Sequence, residues 1–85
     1  MLQISFHPKA TKELLKIPKK TRLCILDKMA ELESLGHPLQ HQKVKKLRKG
    51  KFEKFRLRVG NYRVKFTLRK SSLFVIHIQH RQVGY

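Results

Sequence analysis

The chain has 85 residues, 40% of them hydrophobic, and its 21 lysines and arginines face only five acidic residues, a net charge of +16. This length predicts one domain over residues 1–85 and excludes a second. The hydrophobic content is that of a folded chain, so the charge lies on a folded surface that repels itself until a polyanion or an acidic partner binds. Nucleic acid is the favoured partner, before an acidic protein or an anionic membrane.

The positive charge is concentrated in the second half of the chain. Residues 43–85 hold fourteen bases and one acid, Glu53, whereas residues 1–42 hold seven bases and four acids. We therefore expect the polyanion to bind the C-terminal half.

The cysteine and histidine content excludes several classes of protein. Cys24 cannot form an intrachain disulfide, and its apolar neighbours predict a buried thiol on a helix. No signal-peptide pattern and no long apolar run occur, so we expect a cytoplasmic protein that does not span a membrane. His7, His37 and His41 lack the spacing of a metal site, which argues against a metallonuclease.

A strand and two helices are predicted in the first half. Residues 2–6 alternate as a short strand, and a helix follows with Pro8 in its first turn and Pro18 at its end. A longer helix runs from Lys19 to Leu35, before Gly36. The predicted buried residues are Ala10, Leu14 and Ile17 on the first helix and Leu23, Ile25, Leu26, Met29, Ala30 and Leu32 on the second.

The second half of the chain is predicted to form strands. Val44 and Leu47 can anchor a short strand in a basic region, and apolar and polar residues alternate from Phe52 onward. A two-residue turn at residues 60–61 joins two of these strands. A loop over residues 70–72 leads to a last strand, from Leu73 to about Gln79.

The register of the last hairpin decides which side chains are buried. With residues 70–72 as the loop, the opposed pairs are Leu68 with Phe74, Phe66 with Ile76, and Val64 with Ile78. One face of the sheet is then apolar and receives the helices, and the other is basic. The predicted fold class is α+β, with an N-terminal strand, two antiparallel helices and a twisted antiparallel sheet of three to four strands.

The hairpin FRLRVGNYRVKF, residues 55–66, puts like charges opposite one another. Its register sets Arg58 against Arg63 and Arg56 against Lys65. Opposed like charges weaken a sheet, and a solvated face normally mixes Thr, Glu and Lys. Arginine dominates here, and its planar fork matches phosphate oxygens, so the face predicts a phosphate-binding site. A basic face that is merely solvated is the alternative.

Several segments together resemble the RelE/ParE toxin superfamily, and within it the RelE-like ribosome-dependent mRNA endonucleases. The similarity covers essentially the whole chain and follows the family's order: a strand, a helix pair joined at KELLKIPKKTR, a basic KVKKLRKG, the arginine-rich hairpin and a terminal HRQVGY. The most specific pieces are the R-x-R-V-G-N-Y-R-V hairpin and the H-R-x-x-x-Y ending.

The resemblance implies a toxin of a type II toxin-antitoxin system that enters the ribosomal A site and cuts mRNA there. In that chemistry the RNA's own 2′-hydroxyl attacks the adjacent phosphorus and leaves a 2′,3′-cyclic phosphate, so no metal or other cofactor is required. The protein orients the nucleotide, stabilises the added negative charge and manages two protons.

The resemblance also implies roles for single residues. Arg63 matches the family arginine that steadies the scissile phosphate, and Arg81 the arginine that helps the departing 5′-oxygen. Tyr85 matches the C-terminal tyrosine that stacks on or orients the nucleotide, although an end residue can also be incidental and mobile. Arg56 and Arg58 match two basic positions that hold RNA and that in some members are lysines implicated in activating the 2′-hydroxyl.

The general base stays open at this point. Arginine remains protonated, so Arg56 and Arg58 can only bind RNA and stabilise charge. Histidine titrates near neutral pH, which makes His77 and His80 candidates, and each can instead be a histidine without a catalytic role. The predicted catalytic set is Arg63, Arg81, Tyr85 and His80, and the predicted RNA-binding set is Arg56, Arg58, Lys65, His77, Lys45, Lys46 and Arg48.

The implied partners are the 70S-type ribosome with its mRNA and a RelB-like antitoxin, which is acidic or amphipathic where it covers the basic surface. The pair can also bind operator DNA through the antitoxin, and no membrane partner is expected. Two other functions fit the same fold: a ParE-like inhibitor of DNA gyrase and a catalytically silent ribosome- or RNA-binding module. Arg63, Arg81 and Tyr85 favour the nuclease.

Overall fold

The fold is given by a computed structural model that describes residues 2–47 and 53–80. Its elements are β1 (Gln3–Phe6), α1 (Pro8–Leu15), α2 (Lys19–Glu33), a 3-10 helix (Pro38–Gln40), β2 (Val44–Leu47), β3 (Glu53–Val59), β4 (Tyr62–Arg69) and β5 (Ser72–His80). The strands form one sheet in the order β1-β5-β4-β3-β2, in which β1 runs parallel to β5 and the other neighbours are antiparallel. The predicted α+β class is confirmed, and the N-terminal strand joins the same sheet as the others.

The start of α1 and its buried stripe follow the predicted pattern. The His7 ring accepts a hydrogen bond from the backbone N–H two residues on, at 3.0 Å, and Pro8 occupies the first turn. Ala10 and Leu14, on one face of the helix, are buried, and Ile17 is buried just past its end. The predicted apolar stripe of this helix is confirmed.

The second helix buries a narrower stripe than the sequence predicts. Ile25, Met29 and Leu32 are buried at spacings of four and three residues. The predicted burial of four other residues is wrong, because at 3.6 residues per turn two of them lie on the opposite side of the helix and two on its flanks. Those exposed residues are Leu23, Leu26, Ala30 and Cys24.

The β3–β4 hairpin has the predicted register. Gly60 has a φ of 55°, a left-handed conformation that suits glycine, and with the next residue it forms the two-residue turn. Arg58 pairs with Arg63, and Arg56 with Lys65. The opposition of like charges predicted from the sequence is confirmed.

The β4–β5 hairpin departs from the prediction in its turn and its register. Its turn has two residues, 70–71, with Lys70 at a φ of 56°. A β-bulge next to Lys65 then inserts Ile76 as an extra residue in β5. The shorter turn shifts the pairing of β5 by one residue from the prediction, and the bulge shifts it back. Only the Val64–Ile78 pair, which lies beyond the bulge, is therefore confirmed, and the other two predicted pairs are wrong. The observed pairs are Leu68 with Leu73, Thr67 with Phe74, Phe66 with Val75, and Val64 with Ile78.

The bulge reverses which side chains of β5 are buried. Leu73 and Val75, each 1% exposed, lie in the core, whereas Phe74 is 38% exposed on the other face. At the centre of the core, the buried rings of Phe55 and Phe66 stack with centroids 5.6 Å apart. The face that receives the helices is thus set by both strands together, and alternation in β5 alone does not reveal it.

An ionic contact joins α2 to the segment before β2. The Glu31 carboxylate lies 3.0 Å from His41 Nε2 and 3.3 Å from Lys28 Nζ. The hydrogen bond with His41, and then that with Lys28, hold the pKa of the Glu31 carboxyl below its usual 4.5.

We expect the stability advantage of wild type over Glu31→Gln to shrink as the pH falls. A folded-state pKa below the unfolded value means that the carboxylate stabilises the fold above the unfolded pKa and loses this effect as the pH falls through the folded pKa. Thermal unfolding from neutral to acid pH should show a Tm difference of a few degrees at most, since the contact is exposed. Glu33→Gln removes the same charge from a residue with no ion pair in the described part of the chain. A Tm difference between wild type and Glu31→Gln that does not change with pH would contradict this expectation.

Candidate nucleic-acid interface

The face of the sheet opposite the core carries two rows of mostly basic residues, and we call it the open face. The first row crosses β2 to β5 and the second crosses β3 to β5. Their members are Lys45, Arg56, Lys65 and His77 in the first row and Arg58, Arg63 and Gln79 in the second. Cross-strand neighbours of this kind have their Cβ atoms about 4.5–5.5 Å apart, so the rows form one continuous basic surface.

Four of the cations in these rows are not neutralised by the acids that the structure describes. Within residues 2–47 and 53–80, no carboxylate forms an ion pair with Lys45, Arg56, Arg58 or Lys65. Each opposed pair of like charges destabilises the sheet by up to about 1 kcal/mol. A bound phosphate makes the same charges favourable, because each cation then pairs with an anion. The open face therefore has the electrostatics of a polyanion site.

A cleft of about 110 Å³ indents the open face at its β2 side. Its walls are Gln42, Lys43, Lys45, Arg56 and Arg58. The backbone N–H of Arg58 donates to the carbonyl of Lys43 at 3.0 Å, which holds the segment before β2 against β3. Three of the walls lie on neighbouring strands of the open face, so the cleft can enclose a phosphate-sized anion between cations.

The structure brings most of the predicted RNA-binding residues together, with one exception among those it describes. Lys46 pairs with Phe55, whose side chain lies in the core, and its Nζ lies 3.7 Å from the Glu53 carboxylate. It thus sits at the sheet edge, away from the two basic rows. Arg48, Arg81 and Tyr85 lie outside the described residues.

His80 lies on the helix side of the sheet. It pairs with Tyr62, and the two rings meet edge to face with centroids 5.1 Å apart. Both line an apolar groove together with Cys24 of α2. The structure does not bring His80 together with Arg63, whereas His77 pairs with Lys65 on the open face.

Phe74 is the open-face residue that the sequence reasoning missed. It pairs with Thr67 and is 38% exposed, and its ring meets the His7 ring edge to face at 5.9 Å. The run Leu73–Ile76 is apolar throughout, so alternation cannot decide which of its residues are buried. An exposed aromatic ring on a basic surface is the usual platform on which proteins stack a nucleic-acid base.

Two further properties bear on the kind of site. Among the residues that the structure describes, no three His, Cys, Asp or Glu side chains are grouped so that they could hold a metal ion. In that same part of the chain, no helix has the length and apolar character needed to cross a membrane.

Comparison with known proteins gives one family and several similar structures. The family model described as "ParE toxin of type II toxin-antitoxin system, parDE" matches residues 4–85. A chain of the archaeal RelE-RelB complex from Pyrococcus horikoshii OT3 has a TM-score of 0.79 and 24% identity, with 98% of each chain covered. No curated protein sequence matches significantly.

Two other complexes contain a chain of similar fold. The RelB-RelE antitoxin-toxin complex from Methanococcus jannaschii gives a TM-score of 0.75 at 24% identity, over 96% of this chain and 92% of that one. The toxin-antitoxin complex RelBE2 from Mycobacterium tuberculosis gives 0.75 at 20% identity, over 94% and 98%. Likeness at such low identity shows a common fold.

Proposed function

Because the chain belongs to the ParE toxin family of type II toxin-antitoxin systems, we propose that it is a toxin that binds the translating ribosome and cleaves mRNA in the A site. The resemblance to the RelE/ParE superfamily predicted from the sequence is confirmed by the family match and the fold. The observation that carries the proposed activity is the open face, which holds the two basic rows, with His77 opposite Lys65, and the exposed ring of Phe74.

The cleavage proposed here forms a bond from the 2′-oxygen to phosphorus and breaks the bond from phosphorus to the 5′-oxygen. The transition state adds negative charge to the phosphoryl oxygens, and preorganised donors stabilise such charge. Arg63 lies between Arg58 and Gln79 in the second row and is the donor we assign to the scissile phosphate. Arg81 remains the arginine proposed to assist the departing 5′-oxygen.

The 2′-hydroxyl must lose a proton, and we assign His77 as its acceptor. Among the described residues of the two basic rows it is the only one of the side-chain type that titrates near neutral pH. It lies in the same row as Arg56 and Lys65, whereas His80 lies on the helix side. The departing 5′-oxygen takes a proton from water, so one proton is removed at the 2′-oxygen and one is added at the 5′-oxygen.

The aromatic rings orient the nucleotide in this proposal. Phe74 offers its exposed face, and Tyr85 keeps the stacking role implied by the family resemblance. Lys45, Arg56, Arg58 and Lys65 bind the flanking phosphates.

We expect Phe74→Ala to weaken binding of short single-stranded RNA by about 1–3 kcal/mol, the usual contribution of one stacked base. Phe74→Leu keeps apolar area without the ring and should bind as weakly as the alanine variant, whereas Phe74→Tyr should bind as wild type. Fluorescence anisotropy with a labelled oligonucleotide measures all three. Equal affinity of the alanine and wild-type proteins would remove Phe74 from the site.

The proposed partners follow from the charge. A surface of net +16 binds ribosomal RNA and mRNA phosphates through counterion release. We propose that a RelB-like antitoxin, acidic or amphipathic where it contacts the open face, neutralises the toxin. The similar solved chains each come from a toxin-antitoxin complex. Operator DNA is proposed to bind through the antitoxin.

Toeprinting on programmed ribosomes tests the proposed activity. We expect new 3′ ends within the A-site codon of a defined mRNA when the protein is added, and none when it is preincubated with its antitoxin. The same preparation should not inhibit supercoiling by DNA gyrase. Intact mRNA on ribosomes that bind the protein would overturn the proposal and favour a silent ribosome-binding module.

A ParE-like inhibitor of DNA gyrase is the second candidate function. The description of the matching family model favours it, since that model is of ParE toxins. Inhibition of gyrase supercoiling, with mRNA left intact on the ribosome, would establish it in place of the nuclease.

A further inference from the structure

Glu13 on α1 occupies an unusual place for an acid in a chain of net charge +16. Its side chain is 24% exposed, and its Oε1 accepts a hydrogen bond from the backbone N–H of Ile78 at 3.0 Å. Ile78 lies beyond Val75, the last residue of β5 that pairs with β1. The carboxylate therefore takes the place of a missing strand at the edge of β5.

The same carboxylate oxygen faces the histidine of the open face. Glu13 Oε1 lies 3.7 Å from His77 Nδ1. That nitrogen is buried and has no hydrogen-bond partner among the described residues, although the His77 side chain is 33% exposed. The separation exceeds hydrogen-bond length, and contacts of this kind in unliganded sites often tighten when the substrate binds. Among the described residues, no other carboxylate forms an ion-pair contact with Nδ1.

The β-bulge in β5 creates this arrangement. Ile76 is the extra residue, so His77 pairs with Lys65 on the open face and Ile78 returns to the core opposite Val64. Bulges commonly re-aim a side chain next to a functional site. One irregularity thus places the His77 ring among the cations next to the carboxylate that binds the backbone of Ile78.

We propose that Glu13 is the positioning residue for His77, holding the proton of the neutral ring on Nδ1 and leaving the Nε2 lone pair for the 2′-hydroxyl proton. This role rests on the proposed function. When Nε2 takes the proton, the ring becomes a cation in a row that already contains Lys45, Arg56 and Lys65, and the carboxylate stabilises it.

Glu13→Gln separates this role from the structural one. The amide oxygen can still accept the N–H of Ile78, while the negative charge is lost. We expect the single-turnover rate of mRNA cleavage to fall about 10- to 100-fold, the size of effect seen when residues that orient metal-ligating histidines are removed, with ribosome affinity unchanged. Glu53→Gln is the matched control, since it removes the same charge from an exposed acid beside Lys46 and should leave the rate unchanged.

Two further measurements distinguish positioning from support of the fold. In a His77→Ala background, Glu13→Gln should have no further effect on the rate, because the carboxylate acts through the ring. A purely structural role would give the same loss in both backgrounds. Nitrogen-15 NMR reads the tautomer without any activity, and we expect the neutral His77 ring to be protonated on Nδ1 in the wild type and to be shared between both nitrogens in Glu13→Gln.

The outcomes are separable. Absence of cleavage by the wild-type protein would overturn the proposed function and the catalytic part of this role with it. Wild-type cleavage together with an unaffected Glu13→Gln rate, or a wild-type neutral ring protonated on Nε2, would overturn the role of Glu13 and leave the proposed function standing.

Discussion

Arg63→Ala is expected to slow mRNA cleavage on the ribosome by about 10²–10³-fold, the effect of removing one preorganised donor from a developing negative charge. Arg63 is half-buried and lies between Arg58 and Gln79 in the second basic row. Single-turnover toeprinting at saturating toxin isolates this effect from ribosome binding. Arg63→Lys keeps the charge without the planar fork and should recover only part of the rate.

Arg69→Ala is the matched control for this prediction. It removes one arginine from the same strand, six residues away, which is about 20 Å at a rise of about 3.3 Å per residue. Its loss changes the net charge as Arg63→Ala does, so it should weaken binding slightly and leave the single-turnover rate unchanged. Equal rates for Arg63→Ala and wild type would remove Arg63 from the site.

Phe55→Ala is expected to destabilise the fold by about 3–5 kcal/mol, the usual cost of truncating a buried phenylalanine. Its ring is fully buried, stacks on Phe66 at 5.6 Å and meets the His37 ring edge to face at 5.8 Å. A domain of this length has about 4–13 kcal/mol of total stability, so the variant loses a large part of it. Urea unfolding followed by circular dichroism gives the change in the free energy of unfolding.

Phe74→Ala is the control for this stability change and separates the two faces of the sheet. Its ring is 38% exposed on the open face, so the free energy of unfolding should fall by about 1 kcal/mol or less. Similar losses for the two variants would mean that Phe55 and Phe74 are equally buried, contrary to the register set by the bulge in β5.

The β3–β4 hairpin and its charges are readable from the sequence. Gly60 and Asn61 mark a two-residue turn, and strict alternation on both sides allows one register, which the structure confirms. The opposition of Arg58 and Arg63 follows at once from that register. The charged residues at every second position fix this register, because their side chains cannot be buried in the core.

The last strand and the second helix show why other parts were not predictable. Residues 73–76 of β5 are all apolar, so the sequence does not show which of them face the core. Neither the two-residue turn at Lys70 nor the bulge at Ile76 is marked by a residue pattern that predicts it. The apolar residues of α2 lie on both sides of the helix, and only contact with the sheet selects the buried side.

The position of Glu13 depends on tertiary structure alone. Its oxygen meets Ile78 across a separation of 65 residues, and His77 is brought to the same place by the bulge. Sequence reasoning found the histidine as a candidate base but had no means to find its carboxylate. A contact that depends on one irregular strand, such as that between Glu13 and His77, is therefore visible only in the folded structure.

The measurement that tests the central claim most directly is cleavage of an mRNA carrying a single 2′-deoxynucleotide at the cut position of the A-site codon. We expect the all-ribose mRNA to be cut and to carry a 2′,3′-cyclic phosphate at its new 3′ end, and the deoxy-substituted mRNA to stay intact at that position. Equal cleavage of both messages would contradict attack by the 2′-hydroxyl, and with it the roles assigned to Arg63 and His77 on the open face.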